Sequence, residues 1–291
     1  MNTLKKSTSG EFDRLTTKFK RVAKDPAHIF RCYNGTVDLR TGELTPYASP
    51  AVRMALAMTP YEFLPQSVKE PKRTISNLYR LSGHREYDAV KSANVDVYLD
   101  WFARLALGRF PKCENKAVAF CSASCAGKTA LPTIIREVLG HYAQGVSLDG
   151  ELNSRVLYRN SIPQSEITRA AFVNPCSPEE IKNGKGCENA LIEHITGKIS
   201  ARRILYSKVM KRPRFRGILV FDWITPDFPE LSDSLLRRIH LMPTSAYLLP
   251  EHRNPDYVKE VLLAEGDTLL TKILLRAKNI LAGDTVPLIK A

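Results

Sequence analysis

AVAFCSASCAGKTALPTIIREVLG, residues 117–140, is the stretch whose reading decides the fold. Ala117 to Cys121 is a short unbroken apolar run, the pattern of a buried strand. Leu131, Ile134, Ile135, Val138 and Leu139 recur at helical spacing and make one stripe suited to packing on a sheet. Between them lie Ser122, Ala123, Ser124, Cys125, Ala126, Gly127, Lys128 and Thr129, so the segment reads strand, loop, helix. A phosphate-binding loop needs backbone N–H groups converging on the anion, a lysine on the outer phosphates and a hydroxyl on the magnesium ion. Gly127, Lys128 and Thr129 supply the last part of that pattern, and the helix they open adds an N-terminal dipole favouring negative charge by roughly 0.3 to 1 kcal/mol. The pattern G-x-x-x-x-G-K-[ST] has glycine at its first position, where Ser122 stands. Serine carries a Cβ and disfavours positive φ, so a modified entry to the loop is expected.

The chain has 291 residues, of which 44% are hydrophobic and 25% charged, enough for one large or two modest cores. No run approaches the ~20 apolar residues of a membrane span, and MNTLKKSTSGEF at the N-terminus lacks the apolar stretch of a secretory signal. The expectation is a protein of the cytoplasm, the host's if the gene belongs to a phage or plasmid. The cysteines at 32, 113, 121, 125, 176 and 187 show neither a C-x-x-C pair nor zinc-ligand spacing with histidines, so they read as reduced thiols. Cys121 and Cys125 flank the loop as packing residues.

A formal net charge of +13 favours polyanionic partners. The excess is concentrated. Lys198, Arg202, Arg203, Lys208, Lys211, Arg212, Arg214 and Arg216 follow one another with no acidic residue between Glu193 and Asp222. Nucleic acid is the partner such a patch suits.

Along the chain, residues 1–28 form a basic arm. Residues 29–110 form an accessory region: Ile29 to Pro50, with Asn34-Gly35 and Thr41-Gly42, reads as a small hairpin, and Lys72 to Arg109 as helical with Val95, Leu99, Phe102 and Leu105 on one face. In the core, 111–248, Ala170 to Val173 reads as a strand and Cys187 to Gly197 as an amphipathic helix with Leu191, Ile192 and Ile195 inward. Gly217 to Phe221 reads as a second buried strand ended by Asp222, and Leu235 to Leu241 as the start of a helix carrying Arg237 and Arg238. The C-terminal segment, 249–291, is mostly helical from Asp256 to Ala282. Strands alternating with helices give an α/β fold with a mainly parallel sheet.

Several stretches together resemble the helicase part of phage, plasmid and poxvirus-type primase-helicases, members of superfamily 3. NGTVDLRTGEL (34–44) resembles the hairpin opening that family's accessory region. SASCAGKT with LGHYA (139–143) resembles its phosphate loop and the following helix end. NALIEHITGKISARRILYSK (189–208) resembles the segment between its acidic and sensor motifs. PRFRGILVFDWITPDFP, followed by LLRRIHLMP ending at Pro243, resembles the sensor strand, its proline loop and the double arginine. AEGDTLLTKILLRAKNILAGDTVP (264–287) is similar to the helical region ahead of the family's C-terminal extension.

The resemblance implies an AAA+-like P-loop NTPase core and an ATP- and Mg2+-dependent DNA helicase or translocase, a hexameric ring of identical chains around single-stranded DNA. A primase or replication-initiation protein would be a partner. Carried across, Lys128 and Thr129 would hold the β/γ-phosphates and Mg2+, and Arg237 or Arg238 would be an arginine finger reaching a neighbouring subunit. The basic segment from Lys198 to Arg216 would face DNA. After its second core strand the family places an acidic residue that activates water. Here Asn174-Pro175-Cys176 follow, leaving Glu179 and Glu180 as the nearest candidates, and the sensor asparagine is replaced by Asp222 or Trp223. These departures also fit a paralogue that binds nucleotide and DNA with little or no turnover. The extent of the chain matches a helicase module without primase or winged-helix parts. A P-loop kinase for a small substrate is a further reading, which the basic patch disfavours.

Overall fold

The computed structural model describes residues 26, 28–66, 69–81, 89–108, 117–121, 130–146, 156–157, 168–173, 187–196, 202–204, 210–211, 217–223, 232–243 and 253–283. The chain begins with β1 (Ile29–Arg31), β2 (Gly35–Asp38) and β3 (Glu43–Pro46), an antiparallel meander in which each strand pairs with the next. The sequence suggests a hairpin. The turn at Thr41-Gly42 returns the chain for a third strand, because Glu43 to Pro46 aligns on β2. Asn34 fixes the first turn by donating through Nδ2 to the Phe63 carbonyl at 2.9 Å and accepting from Phe63 N at 3.0 Å.

Helix α1 (Pro50–Leu56) starts on Ser49, whose Oγ accepts from Val52 N, with proline in the first turn. Helices α2 (Lys72–Leu81) and α3 (Ala89–Leu107) follow. A single buried face is expected for α3, but every residue from Tyr98 to Leu107 is buried, Asp100 and Arg104 included. Such a helix has neighbours on all sides. Then come β4 (Ala117–Cys121), α4 (Ala130–Leu139), a 3-10 turn (Gly140–Tyr142), β5 (Ala143–Val146), β6 (Val156–Leu157) and β7 (Ala170–Val173). The rest comprises α5 (Cys187–Thr196), β8 (Arg202–Ile204), β9 (Met210–Lys211), β10 (Ile218–Trp223), α6 (Asp233–Leu236), β11 (Ile239–Pro243) and α7 (Tyr257–Ala282).

Five strands make the central sheet in the order β11-β4-β10-β7-β5, every pair parallel. The protein is therefore α/β, with a parallel five-stranded core of the kind P-loop NTPases use and a small antiparallel sheet ahead of it. The strands alternate between two cores with period 2. Val118, Ala170, Phe172, Ile218, Val220 and Met242 pack with α3, α4 and α7. Ala117, Ala119, Ala171, Val173, Leu219, Phe221 and Ile239 pack with α5 and α6. All five apolar residues of the α4 stripe are buried, and so are Leu191 and Ile195 of α5. Gly140 ends α4 with φ +58, where an added Cβ would also strike the Met58 carbonyl.

Two local expectations change. Asp222 does not end its strand, since β10 continues through Trp223 in register with β4. The segment from Leu235 to Leu241 is only briefly helical: α6 closes at Leu236, and Ile239 to Pro243 is a strand on β4. The residues Ile239 to Met242 suit either element over so short a span, and the unpaired edge of β4 decides between them.

Helix α7 joins the accessory elements to the core through its own side chains. The Glu265 carboxylate, 8% exposed, accepts from Arg73 N at 2.6 Å and from Thr74 N and Oγ1 at 2.9 Å, satisfying donors at the start of α2. Asp267 accepts from Glu62 N, and Thr271 Oγ1 from Leu64 N. Lys272 bonds Glu70 at 2.8 Å and holds its carboxyl below the usual range. Arg276 pairs with Asp100 on α3. At Gly266 the helix comes so close to the Tyr61 ring that a β-carbon would overlap it. Glu265→Ala is expected to lower unfolding free energy by about 2 to 3 kcal/mol in a urea titration, because buried N–H groups lose a charged acceptor. A loss within experimental error would show that the carboxylate is not what holds α2.

Candidate nucleotide site at the carboxyl edge of the sheet

Ligands of open α/β sheets bind outside the carboxyl ends of the strands, where neighbouring connections depart to opposite faces. From β4 the chain crosses the sheet to β5 through α4, on the face shared with α3 and α7. Between β7 and β10 it passes through α5, on the opposite face. Beyond β10 the chain passes α6, also on that opposite face, and reaches β11 on the far side of β4. The switch point therefore lies between the carboxyl ends of β4 and β10.

At that point the register sets Asp222 against Phe120 and Trp223 against Cys121. The next residue after Cys121 is Ser122, and α4 opens at Ala130, directly after Thr129. The segment read as a phosphate loop thus bridges the end of β4 and a helix N-terminus at the switch point. Ser122, Ala123, Ser124, Cys125, Ala126, Gly127, Lys128 and Thr129 themselves lie outside the described residues, as do Glu179 and Glu180. Strand β7 ends at Val173, level with Phe221 and one residue short of Asp222, so the chain leading to those glutamates departs beside the same edge.

Arg237 and Arg238 sit at the other end. The Arg238 carbonyl accepts from Ala117 N at 2.8 Å, at the start of β4. The length of β4, about 13 Å for five residues, separates the pair from the root of the loop. An arginine there lies at the opposite edge of the sheet from that root. The two also differ in what they do. Arg238 donates through Nη1 to the Ser234 carbonyl and to Ser234 Oγ, closing α6 on itself. Arg237 is exposed, and among the described residues only its backbone N–H is engaged, with the Asp233 carbonyl. Ser232 caps the same helix through Leu235 N.

Of the basic segment, Arg202 and Arg203 lie on β8 and Lys211 on β9. These strands pair antiparallel with Arg202 opposite Lys211, and β6 joins β8 in parallel. Lys198, Lys208, Arg212, Arg214 and Arg216 lie outside the described residues. Sequence reading finds the charges but not this pairing, which depends on where the turn falls.

Among the described residues no group of three or more His, Cys, Asp and Glu side chains could hold a metal ion, and no helix is long and apolar enough to cross a membrane. Cys32 is buried in the meander, where burial pushes its thiol pKa up, in keeping with a packing role.

No family model matches the chain, and no curated protein matches it. Among solved structures it is similar to the apo A form of the NrS-1 C-terminal region, with 15% identity and a TM-score of 0.47 over 75% of this chain and 50% of that one. It is also similar to JCV helicase with a bound small molecule, with 12% identity and a TM-score of 0.41 over 77% of this chain and 59% of that one. The chain spans about half the length of the solved chains it matches. A functional reading therefore has to stand on this chain's own residues.

The contrast between the two arginines is testable without any ligand. Arg238→Ala should cost about 1 kcal/mol of stability through its lost bonds to Ser234, while Arg237→Ala should stay within about 0.5 kcal/mol of the parent in thermal melts. Equal effects would contradict their different placement.

Proposed function

We propose that the chain is a nucleoside-triphosphate-driven DNA helicase or translocase that works as a ring of copies in replication of a phage, plasmid or virus. The observation that carries this reading is that β4 ends at Cys121 at the switch point beside the end of β10 and α4 begins at Ala130, with Gly127-Lys128-Thr129 in the sequence between them. Backbone N–H groups from Ser122 to Gly127 and the N-terminus of α4 would face the phosphates, with Lys128 on the outer ones. The donor set fits a triphosphate with its divalent ion, which Thr129 would bind through its hydroxyl. A bound Mg2+ would neutralise charge on the outer phosphate oxygens. Glu179 or Glu180 would accept the proton of the attacking water. Asp222, at the end of β10, would orient that water as an acceptor, a role in which it cannot also donate as an amide does.

Arg237 is the better candidate for the arginine finger. It is exposed and its guanidinium is uncommitted among the described residues, whereas Arg238 is bound to Ser234. Because the pair lies at the amino end of β4, a finger here has to act on a neighbouring copy's nucleotide. That requirement motivates the ring. Lys198, Arg202, Arg203, Lys208, Lys211, Arg212, Arg214 and Arg216 would track the DNA backbone, with Arg202 and Lys211 paired across the β8–β9 hairpin to grip phosphate.

A second reading, a nucleotide- and DNA-binding chain without turnover, is favoured by one feature. Asn174-Pro175-Cys176 stand directly after β7, where an acidic residue would complete the site. Nucleotide binding with no measurable hydrolysis in the wild type would decide for it.

Lys128→Ala should abolish hydrolysis stimulated by single-stranded DNA, and an unchanged rate would remove the motor reading. Arg237→Ala should lose about 10³-fold or more in turnover while still binding nucleotide. Mixed with Lys128→Ala it should recover part of the rate, since mixed rings contain interfaces with an intact loop and an intact finger. Absence of recovery would place the arginine outside a shared site. Each phosphate-contacting cation removed from the basic segment should reduce the salt slope of single-strand binding by about 0.7.

A further inference from the structure

The outer edge of β5 lies in an open groove of about 620 Å³ between the accessory region and the core. One wall is α1 and the residues after it, with Arg53 and Met54. The other is the last turn of α4 with Arg136 and Glu137, and Tyr33 and β5 complete the lining. Among the described residues β5 has one strand neighbour, β7, so every other residue from Ala143 to Val146 turns its N–H and C=O away from that neighbour, although the Ala143 N–H is already bonded to the Gly140 carbonyl. The four residues span about 10 Å, room for a strand of similar length.

The groove's side chains are set up for more than solvent. The Arg53 guanidinium stacks 4.5 Å over the Tyr33 ring centroid, and its Nε is buried without an acceptor. No carboxylate pairs with it among the described residues. Arg136 contacts Glu137 at 3.3 Å and lies along the strand, its Nη1 placed 3.5 Å from where a Gly145 β-carbon would stand. The groove thus holds two guanidinium groups and a single carboxylate, which contacts Arg136 alone. Met54, 85% exposed, adds a flexible apolar surface of the kind used for adaptable docking.

We infer that this groove is a docking site for an extended acidic-apolar segment of a partner protein, which adds a strand to the edge of β5 and sets a carboxylate on Arg53. Strand addition uses both N–H and C=O groups of an edge, which a peptide backbone matches. The phosphate backbone of a nucleic acid offers acceptors but no donors spaced to match a strand edge, and its charge would meet the Glu137 carboxylate. A second copy of the chain brings a formal charge of +13 to an already cationic groove. The inference does not depend on nucleotide chemistry. The groove lies at the amino end of β5, past the far end of α4.

The test selects a phage-displayed library of random twelve-residue peptides on the whole purified chain without nucleotide, then measures synthetic copies of the recovered peptides by fluorescence anisotropy. Expected are peptides alternating apolar and acidic residues, with slowed hydrogen exchange between Gln144 and Val146 when bound. Arg53→Gln should weaken binding about tenfold or more, the loss of a charge-assisted hydrogen bond. N-methylation of alternate peptide amides should abolish binding, and that control does not depend on how the protein variant folds. Recovery of no peptide binding below 100 μM, of basic peptides, or of peptides indifferent to both changes would overturn the inference. Displacement of the peptide by oligothymidylate with the same Arg53 dependence would overturn it in favour of nucleic acid. Binding lost only because Arg53→Gln alters particle size would overturn it in favour of self-association.

Discussion

Parallel pairing of β10 against β4, Val220 to Trp223 alongside Val118 to Cys121, is the constraint on which the rest depends. It brings together two strand ends that are a hundred residues apart in sequence and whose connections leave on opposite faces. That edge is a topological switch point, and α4 begins at Ala130, beyond the end of β4. Shift β10 by one residue and the alternation that buries Val220 in one core and Phe221 in the other would be reversed, so the hydrophobic pattern locks the site's geometry.

The other end of the sheet carries the mechanical connections. Arg169, just before β7, donates to the carbonyls of Ala106 at the end of α3 and Ile29 on β1, with its guanidinium 4.3 Å from the Tyr142 ring centroid. Tyr142 in turn packs on Phe30 and accepts from Arg31 N through its hydroxyl. Together with the side chains of α7 these contacts attach the meander and the accessory helices to the sheet at named atoms. Displacement of the sheet's amino end is therefore passed to the accessory region without a flexible joint among the described residues. In the proposed motor, chemistry would lie at one edge and transmission at the other.

Much of this was legible in the sequence because the decisive segments are local. The buried runs at 117–121, 170–173 and 217–221, and the helix stripe at Leu131 to Leu139, are each settled by spacing alone, and all four stand in the structure. What escaped was nonlocal. Ile239 to Pro243 becomes a strand because β4 has a free edge, and Asp222 stays inside β10 because Trp223 still pairs with Cys121. The burial of α3 on all sides, Asp100 and Arg104 included, depends on α7, whose sequence is more than a hundred residues away. For the site, spacing picked out the loop, and only topology separated Arg237 from Arg238 by giving the latter to Ser234.

The central claim is that a triphosphate sits at the carboxyl ends of β4 and β10 on the amides leading into α4. Hydrogen exchange of the whole chain with and without Mg2+ and a non-hydrolysable ATP analogue tests it most directly, whether or not turnover is retained. The account predicts slowed exchange concentrated between Ser122 and Leu131, with smaller protection at the end of β10. Nucleotide that binds while leaving those amides unchanged, or protects only some other surface, would contradict it.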